Sequence, residues 1–99
     1  MKKAAILPSF ERDIKKFTPA EKEKLKKALL AFNHFLETDE YAYGFRFKKI
    51  DHDKFEFRID ISLRVVTKRE GDIYYLVCAG DHDTVRRYLR TYRRGANLG

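Results

Sequence analysis

The feature that most constrains the fold is a change in hydrophobic spacing at Phe45. Before Phe45, apolar residues recur every three or four positions, which is the spacing of a helix with one buried face. After it, apolar and polar residues alternate, which is the spacing of a strand with one buried face. The chain is therefore predicted to place helices before a sheet, an arrangement of the α+β class.

The N-terminal half predicts one strand and two helices. Residues 4–7 form a short apolar run that ends at Pro8, and the spacing within residues 9–17 predicts an amphipathic helix. Thr18 and Glu21 have the spacing of a capping box, so a second helix is predicted to begin there. The buried stripe of this helix is formed by Leu25, Ala28, Leu29, Phe32 and Leu36.

The C-terminal half predicts a mainly antiparallel sheet and a last helix. The predicted strands are FRFKKI, FEFRIDI, LRVVTKRE and IYYLVCAG, and their connections are so short that consecutive strands must pair antiparallel. The last run is apolar on both faces, which predicts a central strand. Residues 82–94 predict an arginine-rich helix, residues 95–99 a frayed end, and residues 1–99 a single domain. With two helices on one face of the sheet, the other face is expected to be partly open.

The charge balance indicates a polyanionic or acidic partner. The chain has 22 Lys and Arg against 15 Asp and Glu, giving a net charge of +7 and a pI near 9.6. This charge favours encounter with RNA, DNA, the ribosome or an acidic protein. The one cysteine, Cys78, excludes an internal disulfide and a multi-cysteine zinc site. Because no apolar run is long enough for a signal peptide or a membrane span, we expect a cytoplasmic protein that binds no membrane.

His82 lies between Asp81 and Asp83, where an apolar strand is predicted to end and the last helix to begin. The helix dipole and the nearby arginines disfavour a charged imidazole there, which suits a general base, and the choice between an acid and a base role for His82 stays open. Two alternatives remain: either aspartate caps the helix and His82 is incidental, or the triplet binds a metal. The same triplet recurs at 51–53, but adjacent residues do not usually converge on one ion, so no metal is expected.

Two arginines are predicted to project from the open sheet face near His82. Alternation within residues 55–59 directs the apolar side chains to one face and Arg58 to the other. A turn at residues 60–62 then returns the chain, so that Arg64 lies beside Arg58 on the next strand. The alternative is that both arginines form ordinary ion pairs with Glu56, Asp60 or Glu70.

Several aromatic residues could contact RNA or belong to the core. Tyr88 lies on the apolar stripe of the last helix, where a core role is the simpler interpretation. Four aromatic residues at the start of the sheet region could stack on bases, although a core position is again the simpler interpretation. They are Tyr41, Tyr43, Phe45 and Phe47.

Three segments together resemble a known family. They are FERDIKKFTPAEKEKLKKAL, then FRFKKI followed by FEFRIDISLRVV, and finally YYLVCAGDHDTVRRYL. Over nearly its full length the chain resembles the RelE/ParE superfamily of toxins from bacterial and archaeal type II toxin-antitoxin modules. The GDHD segment is similar to the Gly-x-His-Asp pattern of many ribosome-dependent RNA-cleaving members, so the RelE-like branch is the nearer one. The resemblance implies the RelE-like microbial RNase fold.

The resemblance also implies an activity and a set of site residues. It implies endoribonuclease cleavage of mRNA in the ribosomal A site, without metal or cofactor, leaving a 2′,3′-cyclic phosphate and a 5′-hydroxyl. The catalytic candidates are His82, Arg58, Arg64 and Tyr88. Glu56 stands where some relatives have a lysine, which is a departure from the lysine-based mechanism. Contacts to RNA backbones are expected from Lys48, Lys49, Lys54, Arg86, Arg87 and Arg90.

The implied partners are mRNA, the ribosome and an acidic, RelB-like antitoxin that covers the basic surface with a helix or strand. DNA would be contacted only indirectly, through the antitoxin. Two other functions remain open at this point. One is a ParE-type toxin that inhibits gyrase, and the other is a non-catalytic basic domain that binds RNA or the ribosome.

Overall fold

The computed structural model describes residues 2–40 and 45–98, with side chains described as far as Thr91. Three helices accompany five strands within these residues, in the predicted order. The elements are β1 (Lys3–Ile6), α1 (Pro8–Lys15), α2 (Pro19–Thr38), β2 (Lys48–Asp51), β3 (Lys54–Arg58), β4 (Arg64–Glu70), β5 (Ile73–Gly80) and α3 (His82–Leu98).

The strands form one mixed sheet in the order β1-β5-β4-β3-β2. Strand β1 pairs parallel with β5, with Lys3 opposite Ile73, whereas the other three pairs are antiparallel. Strand β5 therefore lies inside the sheet, in agreement with its apolar character on both faces. The predicted α+β class with a mainly antiparallel sheet is confirmed.

Helix α2 begins with the predicted capping box. The backbone N–H of Glu21 donates to Thr18 Oγ1 at 3.1 Å, and the backbone N–H of Thr18 donates to Glu21 Oε1 at 2.8 Å. Pro19 occupies the first helical position, where its missing N–H costs no hydrogen bond. The two reciprocal bonds satisfy backbone donors that the helix itself leaves unpaired.

Helices α1 and α2 pack on one face of the sheet over a core dominated by aromatic rings. The ring of Phe32 lies 4.8 Å from that of Phe57 and meets Tyr74 edge-on at 5.8 Å, measured between centroids. Offset and edge-on contacts of this kind stabilise the core beyond the area they bury. The other buried members of this cluster are Phe10, Leu25, Ala28, Phe35, Leu36, Phe45, Val65, Leu76 and Ala79.

Helix α3 packs on the opposite face of the sheet over a smaller apolar cluster. Val85 of the helix belongs to this cluster with Val66, Val77 and Cys78. An irregularity between Val66 and Thr67 of β4 leaves Val77 without a paired residue opposite it. Burial raises the pKa of the Cys78 thiol to about 12, so the thiol stays protonated. The second sheet face is thus partly covered by α3, rather than open along its whole length.

Two details differ from the sequence-based expectations, and a third decides between two alternatives. Strand β2 begins only at Lys48, because Arg46 has a φ of 53°, outside the extended region that a strand requires. Helix α3 continues to Leu98, so it includes residues that were predicted to fray. Phe45 is 3% exposed and half-buried Phe47 packs against the same aromatic core, so the structure favours the core interpretation for both. Tyr41 and Tyr43 lie outside the described residues.

Candidate functional site at the start of helix α3

The candidate site lies where β5 ends and α3 begins. Gly80 of β5 is registered opposite Arg64 of β4, and Arg64 is registered opposite Arg58 of β3. Residues directly opposite one another in antiparallel strands share a face, so these three positions form one row across the sheet. The alternation of apolar and polar residues predicted that Arg58 and Arg64 lie side by side, as they do here.

Asp81 caps helix α3. Its Oδ1 accepts a hydrogen bond from the Thr84 backbone N–H at 2.9 Å, and hydrogen bonds from Thr84 lower the pKa of the Asp81 carboxyl. A Cβ atom on Gly80 would come within 2.7 Å of Thr84 Cγ2, so glycine permits the close approach of the helix to the strand. The capping alternative is therefore correct for Asp81. Helix α3 begins at His82, and the side chain of His82 is exposed.

A cavity of about 200 Å³ brings His82 together with two charged residues. His82 and Arg86 are one helical turn apart on α3, and Glu56 reaches the cavity from β3. Glu56 is only 5% exposed, and its Oε1 lies 3.4 Å from Nζ of Lys48 on the neighbouring strand. Ile50, Val85 and Leu89 supply the apolar walls. The cavity thus combines a carboxylate, an imidazole and a guanidinium beside an apolar surface.

Arg64 does not border this cavity, although it is registered opposite Gly80, two residues before His82. Its Nη1 donates to the carbonyl oxygen of Asp60 at 2.8 Å and to that of Leu63 at 3.1 Å. The Asp60 side chain holds the same turn, because its Oδ1 accepts from the N–H groups of Ser62 and Leu63 at 2.8 Å. Arg64 is therefore held against its own hairpin rather than turned toward His82.

Arg58 does not border the cavity of His82 either. Its Nε is buried and has no hydrogen-bond partner within the described part of the chain. Arg58 borders another cavity, of about 210 Å³, together with Lys24 and Lys27 of α2. Arg58 lies opposite Arg64, as the sequence predicted. The cavity that it borders, however, is lined by residues of α2, which packs on the other face of the sheet.

Lys54 requires a correction. It was predicted to contact RNA, but it is 1% exposed, and its Nζ donates to Asp53 Oδ1 at 2.8 Å. This hydrogen bond is the main cause of the lowered pKa of Asp53. Strand β3 lies between β2 and β4, so a side chain on it is covered from both sides. Lys54 is therefore a buried structural cation in this fold.

The remaining candidates keep positions compatible with their predicted roles. Tyr88 is half-buried against the α3-side cluster of Val66, Val77, Cys78 and Val85. The other predicted RNA contacts have exposed side chains on β2 and α3. They are Lys48, Lys49, Arg86, Arg87 and Arg90.

Metal and membrane features were also sought in residues 2–40 and 45–98. Within these ranges, no three or more His, Cys, Asp or Glu side chains are grouped so as to hold a metal ion. No helix in the same ranges combines the length and apolar character needed to cross a bilayer. His52, in the other Asp-His-Asp triplet, is exposed in the β2–β3 turn.

The sequence indicated His82 but not the two charged residues that line the same cavity. Glu56 was treated as a possible ion-pair partner of the two arginines and as a departure from relatives, and Arg86 only as a backbone contact. The spacing of four between His82 and Arg86 was a usable signal, since such residues share a helix face. The contribution of Glu56 depends on how α3 packs on the sheet, and no local pattern encodes that packing.

Comparisons with known proteins identify the fold. No family sequence model matches this chain, and no curated protein matches it. A metal-bound toxin from Helicobacter pylori is similar in structure, with 19% identity, a TM-score of 0.62, and coverage of 84% of this chain and 97% of that one. The E. coli DinJ-YafQ complex contains a chain with 11% identity, a TM-score of 0.65, and coverage of 84% and 96%.

A chain of a second antitoxin-toxin complex is also similar in structure. A chain of the RelB-RelE antitoxin-toxin complex from Methanococcus jannaschii has 16% identity, a TM-score of 0.61, and coverage of 85% of this chain and 96% of that one. Each similarity extends over nearly the whole of the compared chain. The chain has the RelE-like toxin fold, as the resemblance in its sequence implied.

Proposed function

We propose that this chain is the toxin of a type II toxin-antitoxin module and inhibits translation by cleaving mRNA on the ribosome. The reaction is attack of a ribose 2′-hydroxyl on the adjacent 3′-phosphate. The bond to the 5′-oxygen of the next nucleotide breaks, leaving a 2′,3′-cyclic phosphate and a 5′-hydroxyl. The supporting observation is the cavity that joins Glu56, His82 and Arg86 on a RelE-like fold.

The cavity supplies the two proton-transfer groups that this reaction needs. A base must take the proton of the 2′-hydroxyl, and an acid must give one to the departing 5′-oxygen. Glu56 on β3 and His82 on α3 reach the cavity from different elements, so they can act on the two ends of one phosphodiester. In this proposal Glu56 and His82 are the two proton-transfer groups, one acting as the base and the other as the acid.

Cations around the cavity would stabilise the negative charge of the pentacoordinate phosphate. Arg86 borders the cavity itself, and Lys48 lies beside Glu56. A guanidinium can bind two non-bridging oxygens at once, which suits this task. Arg64 would join them by releasing its hairpin carbonyls when RNA binds, with Arg58 behind it in the same row. Tyr88 lies on α3, as Arg86 does, and would help to position the RNA.

The exposed cations would hold the RNA backbone across the cavity. Lys48 lies beside Glu56 on the edge strand β2, and Arg87 and Arg90 lie on α3. Lys49 is registered opposite Phe55, so it would extend these contacts around the edge of the sheet. Contacts of exposed cations with phosphates are sequence-independent and weaken as salt increases. Lys54 is left out of this group because it is buried.

We also propose an acidic antitoxin as the protein partner. The surface of α1 and α2 carries an apolar groove of about 420 Å³, formed in part by Ile14, Leu25, Leu29 and Leu30. Leu30 is 64% exposed, and Lys22 and Lys26 line the groove as well. An amphipathic helix with carboxylates on its polar side would match both the apolar floor and the lysines. The test is co-expression of this chain with the product of the adjacent gene. The absence of a stable complex between the two proteins would contradict this part of the proposal.

The function is tested by primer extension on mRNA from cells that express the protein. We expect translation-dependent breaks with the wild type, and loss of about 10²- to 10⁴-fold in cleavage with His82→Ala or Glu56→Gln. The matched control is His52→Ala, because it removes the exposed histidine of the other Asp-His-Asp triplet. Arg64→Ala tests the hairpin arginine in the same assay.

Two results would contradict the proposed function. Toxicity that survives in His82→Ala, with arrested replication and intact mRNA, would favour a gyrase-directed toxin. Inhibition of translation without any RNA cleavage product would favour a non-catalytic ribosome-binding domain.

A further inference from the structure

We propose that a second cavity, beside the first turns of α3, is a subsite for the nucleobase next to the cleaved phosphodiester and that it selects guanine. This inference rests on the proposed ribonuclease function. The cavity has a volume of about 310 Å³, at the lower end of the range for small-molecule sites. Its main lining residues are Asp13, Lys16, Phe17, Asp81, Thr84 and Arg87.

The two cavities lie on different sides of the same helix. His82 and Arg86 line the cavity of the proposed chemistry, whereas Asp81, Thr84 and Arg87 line the second one. An α-helix with its side chains is about 10 Å across, so an RNA strand that passes over the start of α3 can reach both cavities. The second cavity therefore has the position expected for a neighbouring nucleotide.

Its two carboxylates are held in place by hydrogen bonds from the backbone. Asp13 Oδ2 accepts from the Ala79 N–H at 2.9 Å, and Asp81 Oδ1 accepts from the Thr84 N–H at 2.9 Å. A carboxylate has two oxygens and several acceptor positions, so each group keeps acceptor capacity for a ligand. Both side chains also border the cavity. The site thus presents fixed acceptors, which require a ligand with hydrogen-bond donors.

Guanine fits these acceptors better than the other three bases. Its N1–H and N2 amino group are adjacent donors on one edge, which a carboxylate can accept together. Adenine and cytosine offer an amino group next to a ring acceptor, and uracil offers one N–H between two carbonyl oxygens. Half-buried Phe17 and buried Leu63 provide apolar surface for the face of the ring.

The charges of the cavity argue against a free anion as the ligand. Lys16 and Arg87 are balanced by Asp13 and Asp81, so the four charged lining groups sum to zero. A neutral ring with donors can use the carboxylates while its phosphates approach the two exposed cations. A free phosphate would be repelled by the same carboxylates.

The test is a titration of the full chain with GMP, AMP, CMP and UMP, followed by amide chemical shifts. We expect GMP to shift the amides of Ala79, Gly80 and Thr84 and to bind about tenfold more tightly than UMP. Asp13→Asn and Asp81→Asn are the test variants, because asparagine keeps the acceptor for Ala79 and the helix cap but replaces one acceptor by a donor. Each should remove the preference for GMP. Glu23→Gln, on the exposed surface of α2, is the matched control.

The outcomes separate this subsite from the proposed function. Equal binding of the four nucleotides, shifts elsewhere on the protein, or an unchanged preference in both Asn variants would overturn the subsite. Sequencing of the 5′-hydroxyl fragment ends gives the second readout: guanine should be enriched at one position beside the cut and lose that enrichment in Asp13→Asn. If the wild type cleaves no translated mRNA, the proposed function fails, while the titration still decides whether the cavity binds guanine.

Discussion

The two faces of the sheet differ in what they bury. The face under α1 and α2 packs rings such as Phe32, Phe45 and Phe57 into one aromatic cluster. The face under α3 has a smaller cluster of short side chains and, beside it, the charged cavity of Glu56 and His82. The difference indicates that the aromatic face supplies most of the stability, which leaves the α3 face able to carry charged groups.

The apolar walls of the α3 face also affect its charges. Val85 and Leu89 stand next to Glu56 and Arg86 in the cavity, where fewer water molecules can surround a bound phosphate. Electrostatic interactions are stronger in such surroundings than in bulk water. The apolar residues around the cavity would therefore strengthen the contacts that the proposed reaction needs.

The largest expected effect comes from removing a ring on the aromatic face. Phe32→Ala should lower the free energy of unfolding by about 3–5 kcal/mol, because it leaves a cavity among the rings. Val85→Ala on the other face should cost only about 1.5 kcal/mol, since it removes two methyl groups. Urea denaturation measures the free energy of unfolding of both variants, each made in a chain that also carries His82→Ala. Equal losses would show that the two faces contribute alike.

A middle-sized effect is expected at the buried lysine of β3. Asp53→Asn removes the carboxylate that lies 2.8 Å from the ammonium of Lys54 and should cost about 1–3 kcal/mol at pH 7. Because the pKa of Asp53 is lowered in the folded state, its contribution is present above its ordinary pKa of 3.8 and is lost as the pH falls below it.

Denaturation of the wild type and Asp53→Asn at pH 7 and pH 3 tests this linkage, with Glu23→Gln as the exposed control. The gap between wild type and Asp53→Asn should be smaller at pH 3. A gap that stays constant with pH would show that the contribution of Asp53 does not depend on its charge, which would contradict this linkage.

The smallest effect separates exposed from buried lysines in RNA binding. Lys49→Ala should lower the slope of log affinity against log salt by about one, because one phosphate contact is lost. Lys54→Met should leave that slope unchanged, since its ammonium is buried. Filter binding of a single-stranded RNA at several salt concentrations measures both. A reduced slope in Lys54→Met would restore Lys54 as an RNA contact.

Local patterns in the sequence predicted most of the elements. The capping box of Thr18 and Glu21 was visible because it depends on residues three apart. The faces of β3 were visible as well, because strand alternation directs Phe57 to one side and Arg58 to the other. These features depend on backbone geometry over a few residues, which the sequence encodes directly.

Features that depend on distant contacts were not predicted. The parallel pairing of β1 with β5 joins residues far apart in the chain, such as Lys3 and Ile73. The burial of Lys54 and the meeting of Glu56 with Arg86 depend on how the sheet and α3 pack together. Side chains of the same type can be exposed or buried under such packing, so composition and spacing do not determine which cations reach RNA.

The most direct test of the α3 face as the centre of the chemistry is an end-group analysis in a purified translation reaction. The wild type and His52→Ala should produce mRNA fragments with a 2′,3′-cyclic phosphate and a 5′-hydroxyl, while His82→Ala and Glu56→Gln should produce almost none. Fragments with a 3′-hydroxyl and a 5′-phosphate, or full cleavage by His82→Ala, would contradict this account.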